Sequence, residues 1–320
     1  MNSRIFKVGP EQNGKRIDLA LFELCGDLSR RKIRQILDVG GVYVNQKRIR
    51  IASRMVHSGD KLRMEYSLVA LQKIRHKQFE FQQTDILYED DDIIAINKPP
   101  GLPAQATKDQ SIVHVATLTK ALLQKLGRPC PSLDICHRLD KETSGVMILS
   151  KHKDSLKWMM ELFKTQQVRK VYECLCYGIP TQKKFEVKNF LSSINPRNGV
   201  VSVVRSGGRP SFTEFCLMES FSSHRLSLVE AYPKTGRTHQ IRVHLQSIAF
   251  PILGDKIYGT EEQKQLLKDP LAEYAAMHHM LHARFISFPK FQKNTESISI
   301  DAPRPLAFVK ILDLLRGTQP

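Results

Sequence analysis

The stretch His137-Arg138-Leu139-Asp140-Lys141-Glu142-Thr143-Ser144-Gly145 sets a carboxylate, Asp140, among a histidine, an arginine and small residues. The apolar run Val146-Met147-Ile148-Leu149 follows at once. Such a run suits a strand buried on both faces, although a buried helix segment has the same pattern. Asp140 would then stand in the loop entering a rigid element. An acid in that place costs free energy unless it is paired or hydrogen-bonded, and a cationic partner would keep it charged and nucleophilic at neutral pH. The plainer reading is a turn cap, since Asp before Thr-Ser-Gly also suits a turn.

A second stretch, Thr235-Gly236-Arg237-Thr238-His239-Gln240-Ile241-Arg242-Val243-His244-Leu245, holds the cation that such an acid needs. If 238–248 is helical, Ile241, Leu245 and Ile248 form a buried stripe, while Thr238, Arg242 and Gln246 share another face that points at a site. Arg242 suits a carboxylate because its guanidinium stays charged and presents donors in a fixed fork. Taken alone, such an arginine is more often a surface group. A third motif, Gly254-Asp255-Lys256-Ile257-Tyr258-Gly259, reads as a turn and carries the other motif acid.

Elements must position these groups. Length allows a large catalytic domain plus a smaller module in 320 residues, and 41% hydrophobic content is enough for a core of its own. Forty-nine Lys and Arg against 32 Asp and Glu leave a net charge of +17, so polyanions, nucleic acid first, are the expected partners. No apolar run approaches the ~18 residues of a membrane-spanning helix, so we expect no membrane partner. Residues 1–10 have no apolar core of the secretory kind, which points to the cytoplasm. Cys25, Cys130, Cys136, Cys174, Cys176 and Cys216 form no CxxC pair and read as reduced, buried thiols. His278, His279 and His282 lack an acid at zinc-site spacing, so packing or RNA contact is expected there and no metal.

Residues 12–70 read as a small unit. Ile17, Leu21 and Leu24 recur at helical spacing, and Ser29 can cap a second helix carrying Ile33, Ile36 and Leu37. Arg30, Arg31, Lys32 and Arg34 project from that helix, and Lys47, Arg48 and Arg50 follow a turn at Asn45-Gln46. Four cations in five positions repel one another unless something anionic answers them, and RNA phosphate is the favoured answer. The pieces Gly14-Lys15-Arg16-Ile17-Asp18, Leu28-Ser29-Arg30-Arg31, Gly41-Val42-Tyr43-Val44-Asn45 and Ser58-Gly59-Asp60 resemble the S4 RNA-binding domain. A polar linker is expected over 71–84 and a catalytic domain over 85–320. In the latter, Ile93-Ile94-Ala95-Ile96 predicts a strand ending at the turn Asn97-Lys98-Pro99-Pro100-Gly101. Further strands are predicted at 170–177, 212–218 and 225–231, and helices at 112–126, 154–164 and 238–248. Strands with interspersed helices argue for an α+β class with a mixed, largely antiparallel sheet.

The motif at 137–145 is similar to the catalytic signature of the RluA-type pseudouridine synthases. So are Asn97-Lys98-Pro99-Pro100-Gly101, Lys170-Val171-Tyr172, 236–244, Gly254-Asp255 with Tyr258-Gly259, and Leu281-His282-Ala283 before Ala302-Pro303. The resemblance implies the pseudouridine synthase fold and isomerisation of uridine in RNA by one aspartate, with no cofactor or metal, in a chain acting as a monomer. It implies Asp140 as nucleophile, Arg242 as its salt-bridge partner, and Tyr172 against the target base, where its phenol can assist proton removal from C5. Arg138 would fill the space left by a flipped nucleotide, and Leu281 would pack the pocket wall. His137, Arg237 and His239 would contact substrate, with Arg30, Arg31, Lys32, Arg34 and Arg48 as the RNA-binding cations. Attack on C1′, attack on C6 and removal of the C2′ proton all remain open to Asp140. Ser211 and Pro103-Ala104-Gln105-Ala106 depart from the family pattern.

The upstream module favours large-subunit ribosomal RNA as substrate over transfer RNA. A non-catalytic RNA-binding or ribosome-assembly factor on the same fold is the second reading, and a base-releasing hydrolase the third. The trio Asp140, Tyr172 and Arg242 argues against the second, because binding alone needs no such set. A hydrolase would normally use two carboxyl groups.

Overall fold

A computed structural model describes residues 2–38, 40–49, 51–66, 79–106, 113–129, 132–196, 198–260 and 271–317. The chain divides into two compact units, Met1–Phe79 and Glu80–Pro320. Most of the expected linker, 71–84, falls outside the described residues, as do Lys73, Arg75, His76 and Lys77; its described end includes Phe81, which is buried.

The small unit contains β1 (Asn2–Lys7), β2 (Lys15–Arg16), α1 (Ile17–Cys25), α2 (Arg30–Asp38), β3 (Val42–Val44), β4 (Lys47–Ile49), β5 (Met55–Val56) and β6 (Lys61–Tyr66). Four strands form an antiparallel sheet in the order β1-β6-β3-β4, and β2 pairs with β5. Alternation in β6 buries Leu62, Met64 and Tyr66, which share one core with Ile17, Leu21, Ile33, Ile36 and Leu37 of the helices. This unit starts before residue 12: β1 pairs with β6 along its whole length, from Asn2↔Tyr66 to Lys7↔Lys61. Helix α2 ends in a backbone wrap, with Gly41 N–H donating to the Ile36 carbonyl and Gly40 N–H to the Leu37 carbonyl, each at 2.8 Å.

In the large unit the strands are β7 (Ile86–Glu89), β8 (Ile93–Lys98), β9 (Asp134–Ile135), β10 (Ser144–Ser150), β11 (Arg169–Tyr177), β12 (Lys184–Leu191), β13 (Val203–Val204), β14 (Arg209–Phe221), β15 (Leu226–Pro233), β16 (Leu281–Lys290) and β17 (Lys293–Asp301). Its helices are α3 (Val115–Lys125), α4 (Lys153–Lys164), α5 (Gln240–Ser247), α6 (Leu271–Met277) and α7 (Leu306–Arg316). The sheet runs β13-β12-β14-β15-β11-β16-β10-β8-β7, with β17 on β16 and β9 on β10. Among the described pairings of this sheet only β10 with β16 is parallel. The class is α+β with a largely antiparallel sheet.

Every residue of β10 is buried, as its unbroken apolar run predicted. Gly145 opens the parallel contact: its φ is +115°, and an added Cβ would collide with the Ala283 backbone of β16. No other residue type fits that approach. The predicted helix at 112–126 spans Val115–Lys125, and residue 112 is outside the described residues. The predicted helix at 238–248 is shorter, Gln240–Ser247, because His239 adopts the left-handed conformation at φ +56° and starts it two residues late. Cys174 and Cys176 are buried in the sheet, Cys25, Cys136 and Cys216 are half-buried, and Cys130 is outside the described residues.

Candidate active site

Asp140 stands in the loop before β10, four residues ahead of Ser144, and Arg242 comes from the first turn of α5, 102 residues later in sequence. Folding brings them together: Arg242 Nη1 donates to Asp140 Oδ2 at 3.0 Å. The other edge of the guanidinium is taken by Asp255, with Nε to Oδ2 at 2.7 Å and Nη2 to Oδ1 at 2.9 Å. Arg242 therefore bridges two carboxylates of unequal access. Asp255 is fully buried and Arg242 is 5% exposed, whereas Asp140 is 24% exposed.

Asp255 is set by its turn. Gly254, at φ +78°, brings the chain so close to the Ala275 and His278 carbonyls that a Cβ could not be accommodated. Asp255 Oδ1 then accepts from the backbone N–H of Ile257 at 2.9 Å and of Tyr258 at 3.1 Å. Burial alone would raise this carboxyl's pKa, but Arg242 outweighs it and holds the pKa below the ordinary value. Burial likewise works against the Arg242 charge, and the two aspartates more than offset it. The turn reading of Gly254-Asp255 is correct as local geometry and incomplete as chemistry.

Helix α5 departs from the expected two-faced pattern. Gln240 through Leu245 are all buried, Arg242 included, and Thr238 lies in the turn before the helix. A polar network makes this burial tolerable. Gln240 Nε2 donates to Thr213 Oγ1 at 2.9 Å, Thr213 Oγ1 lies 2.9 Å from His244 Nδ1, and His244 Nε2 lies 2.9 Å from Ser211 Oγ. Ser211 in turn donates to Asn189. The donors close consistently on a neutral His244 protonated at Nε2, and burial pushes its pKa down to about 4. Ser211, an outlier from the sequence pattern, is thus the hydroxyl that receives the His244 N–H.

His239 Nε2 lies 3.9 Å from Asp140 Oδ2, and its Nδ1 lies 2.8 Å from the Tyr258 hydroxyl. Tyr258 accepts from Val201 N–H at 2.9 Å, so its own proton is available to His239 Nδ1. That leaves the Nε2–H of a neutral imidazole directed toward Asp140; burial lowers the pKa of His239, opposed by Asp140. On the other side Thr143 Oγ1 lies 2.9 Å from His279 Nε2, and burial drives His279 down to about 3. His282 is 2.9 Å from Ser144 Oγ and 3.1 Å from the Ala302 carbonyl. These histidines have hydrogen-bonding roles, and among the described residues no cluster has the composition of a metal site.

Lys98 anchors the loops. Its side chain is fully buried, and Nζ donates to the carbonyls of Leu102 at 2.8 Å, Lys141 at 2.9 Å and Pro99 at 3.0 Å. One ammonium so ties the Lys98-Pro99-Pro100-Gly101 turn to the residue after Asp140. Burial lowers its pKa to about 7, opposed by Glu142 and Asp140.

A cleft of about 360 Å³ opens over this group, bordered by Asp140, Glu142, His239, Arg242, Lys256 and His279. That volume suits one small organic group. Tyr172 sits in β11 between Ala231 of β15 and Ala283 of β16, beside a register shift that re-aims the strand. Its phenol is raised well above the ordinary value by burial first and by the Asp140 charge second, so it is protonated at neutral pH. The Asp140 charge therefore acts on both Tyr172 and Arg242. Leu281 is buried in the core cluster that includes Ile241, Leu253 and Cys174, and neither it nor Tyr172 is among the residues bordering the cleft.

The remaining expected site residues lie around this centre. His137 accepts from Ile148 N–H through Nε2 at 3.0 Å and stacks near Phe163, which makes it a brace for the loop. Arg138 is exposed. Arg237 donates from Nε to the Pro210 carbonyl at 3.1 Å. In the small unit Arg48 donates to the Tyr43 hydroxyl, from Nη2 at 2.8 Å and Nε at 3.3 Å. Lys32 is half-buried in the first turn of α2, where its N–H meets Ser29 Oγ. Arg30 and Arg34 both reach Asp18. An acid inside the protein thus answers part of the cation cluster that was expected to await phosphate. The Arg31 side chain and Arg50 are outside the described residues.

Asp255 as a partner, Lys98 as an anchor, Glu142 at the cleft and the Tyr258–His239 link were not foreseen from sequence. Their signal was present in the motifs themselves, since each lies in a stretch singled out above.

The family described as RNA pseudouridylate synthase matches residues 92–247, and the S4 domain matches 15–62. The ribosomal large subunit pseudouridine synthase D of Neisseria meningitidis serogroup A is 32% identical, over 96% of this chain and 80% of its own. The ribosomal large subunit pseudouridine synthase C of Vibrio vulnificus is 30% identical, over 99% of this chain and 98% of its own. Among solved structures, human RNA pseudouridylate synthase domain containing 4 is 30% identical at a TM-score of 0.59, covering 73% of this chain and 93% of its own.

Proposed function

Because the chain belongs to the RNA pseudouridylate synthase family, we propose that it converts uridines of large-subunit ribosomal RNA to pseudouridine in the cytoplasm, with Asp140 as its one reacting carboxylate. The unequal access of the two carboxylates on Arg242 is the observation that carries this reading. Asp255 spends its oxygens on Arg242 and on two backbone N–H groups inside the protein, whereas Asp140 meets the cleft. The S4 domain and the names of the relatives support ribosomal RNA as the substrate.

The reaction breaks the C1′–N1 bond, turns the base and joins C1′ to C5; the C5 proton leaves and N1 gains one. No second substrate enters, so the protein must hold the detached base and keep water away. Asp140 supplies the electron pair, either to C1′ or C6 or as base at C2′, and Arg242 orients it. Tyr172, as a neutral phenol, stacks on the base, and its oxygen takes the C5 proton as its own O–H proton passes to the Asp140 carboxylate whose charge acts on it. His239 donates from Nε2 to an oxygen of the bound nucleotide. Arg138, exposed at the loop, fills the gap in the RNA that the extracted nucleotide leaves, a step that costs a few kcal/mol. His137 and Arg237 shape the loops that touch RNA.

Pseudouridine mapping in cellular RNA with and without this protein, repeated with Asp140→Asn, tests the proposal. Loss of specific ribosomal pseudouridines in both strains, with RNA binding by the variant intact, is expected. Loss confined to transfer RNA would overturn the substrate, and full activity of Asp140→Asn would overturn the nucleophile. Loss in Glu142→Gln with Asp140→Asn active would move the role to Glu142.

A further inference from the structure

Asp18 lies in the first turn of α1 with its side chain fully buried, beneath three arginines from two other elements. Arg16 of β2 donates from Nε to Oδ1 at 3.0 Å and from Nη2 to Oδ2 at 3.3 Å. From α2, Arg30 Nη2 reaches Oδ2 at 3.3 Å, and Arg34 reaches it from Nε at 2.9 Å and Nη2 at 2.8 Å. Burial alone would raise this carboxyl's pKa; the arginines outweigh it and keep the pKa low.

One arginine would suffice to neutralise Asp18. Three leave two positive charges in surplus, and their side chains stay 38%, 44% and 48% exposed. Each guanidinium has five N–H donors, of which at most two are spent here. Three such cations would disperse if nothing held them, and arginine loses much rotamer freedom when it is fixed. Gathering them beforehand lowers the cost of binding an anion.

We propose that Asp18 is a positioning residue that assembles Arg16, Arg30 and Arg34 into a pre-formed site for a phosphate group of the RNA backbone. The inference rests on RNA as the substrate and not on the catalytic roles above. A phosphate takes donors from several guanidinium forks at once, which point charges on lysine cannot imitate.

Charge counting and positioning give opposite signs, and that makes the test sharp. Asp18→Asn raises the net charge by one, so charge alone predicts tighter RNA binding. Positioning predicts weaker binding. The full chain would be titrated with an unmodified transcript of large-subunit ribosomal RNA across a salt series, alongside thermal melts and single-turnover pseudouridine formation at saturating enzyme. Asp18→Asn should bind about tenfold more weakly near physiological salt, with the log–log salt slope smaller by about one phosphate contact. Arg34→Lys keeps the charge and loses the fork; it should bind about threefold more weakly with an unchanged melting temperature.

Binding by Asp18→Asn equal to or tighter than wild type overturns the proposal. Should that variant not fold, Arg34→Lys decides, and unchanged binding there overturns it equally. If instead wild type makes no pseudouridine while these binding differences persist, the catalytic reading fails and the phosphate site stands.

Discussion

Asp255→Asn separates holding the arginine from doing the chemistry. With an amide oxygen in place of Oδ1, the substituted side chain could still accept from Arg242 Nη2 and from the N–H groups of Ile257 and Tyr258. The amide nitrogen would replace Oδ2 and face Arg242 Nε, now 2.7 Å from its acceptor. One charge-assisted bond becomes a donor–donor contact, and the Arg242–Asp255 attraction is lost. Breaking a buried pair by removing one partner costs about 3–5 kcal/mol. Arg242 keeps Asp140, which moderates the loss, so about 3 kcal/mol is expected, or a melting temperature lower by about 6–12 °C for a unit of this size. The arginine would then lean toward Asp140 and occupy more of the carboxylate that must react. We expect the single-turnover rate, read as tritium release from C5-labelled uridine in RNA, to fall by about 10–100-fold, the range of one misplaced orienting group. RNA affinity should not change. A variant within about 2 °C of wild type in melting, no more than the shift from 1 kcal/mol, and within twofold in rate, would refute the claim that Asp255 holds Arg242.

Tyr172→Phe should lower the single-turnover rate by about a hundredfold with RNA binding intact, the loss typical of a removed proton-handling group. Because its phenol is shifted upward, the wild-type rate should show no titration of Tyr172 between pH 6 and about 9; a rise toward pH 9 that Phe abolishes would contradict the neutral-phenol role. His244 and His279 have folded pKa values of about 4 and about 3 against 6.5 for the free group. Below pH 6.5 the unfolded chain therefore takes up protons that the folded one refuses, and each histidine should remove up to about 1.4 kcal/mol of stability per pH unit until its folded pKa is reached. Urea melts from pH 7.5 to 5 should show this fall, and constant stability over that range would disprove it. Gly145→Ala should cost more than about 3 kcal/mol or prevent folding, since backbone strain and collision with Ala283 act together, whereas Gly236→Ala has open space and should melt like wild type. Equal melting temperatures for the two variants would be the contrary result.

Much was legible along the chain because local physics decides it. The apolar run 146–149 read as buried, and Ser29 was marked as the start of α2, both through contacts a few residues apart. Asp140, Arg242 and Tyr172 were identifiable as a set by motif. Helix α5 shows the limit: its periodicity implied one polar face, but a sheet and loops cover it on nearly every side, and Arg242, His244 and Gln240 are tolerated inside because Asp255, Thr213 and Ser211 meet them.

Residue types and short-range spacing singled out a candidate carboxylate, a candidate cation and the basic character of the small unit, while the class of chemistry came from the resemblance of whole motifs to a known family. Tertiary structure decided who partners whom. Arg242 has two carboxylates and Arg16, Arg30 and Arg34 share one, and neither arrangement follows from sequence distance, because a charge brought inside must find its opposite wherever the fold delivers it.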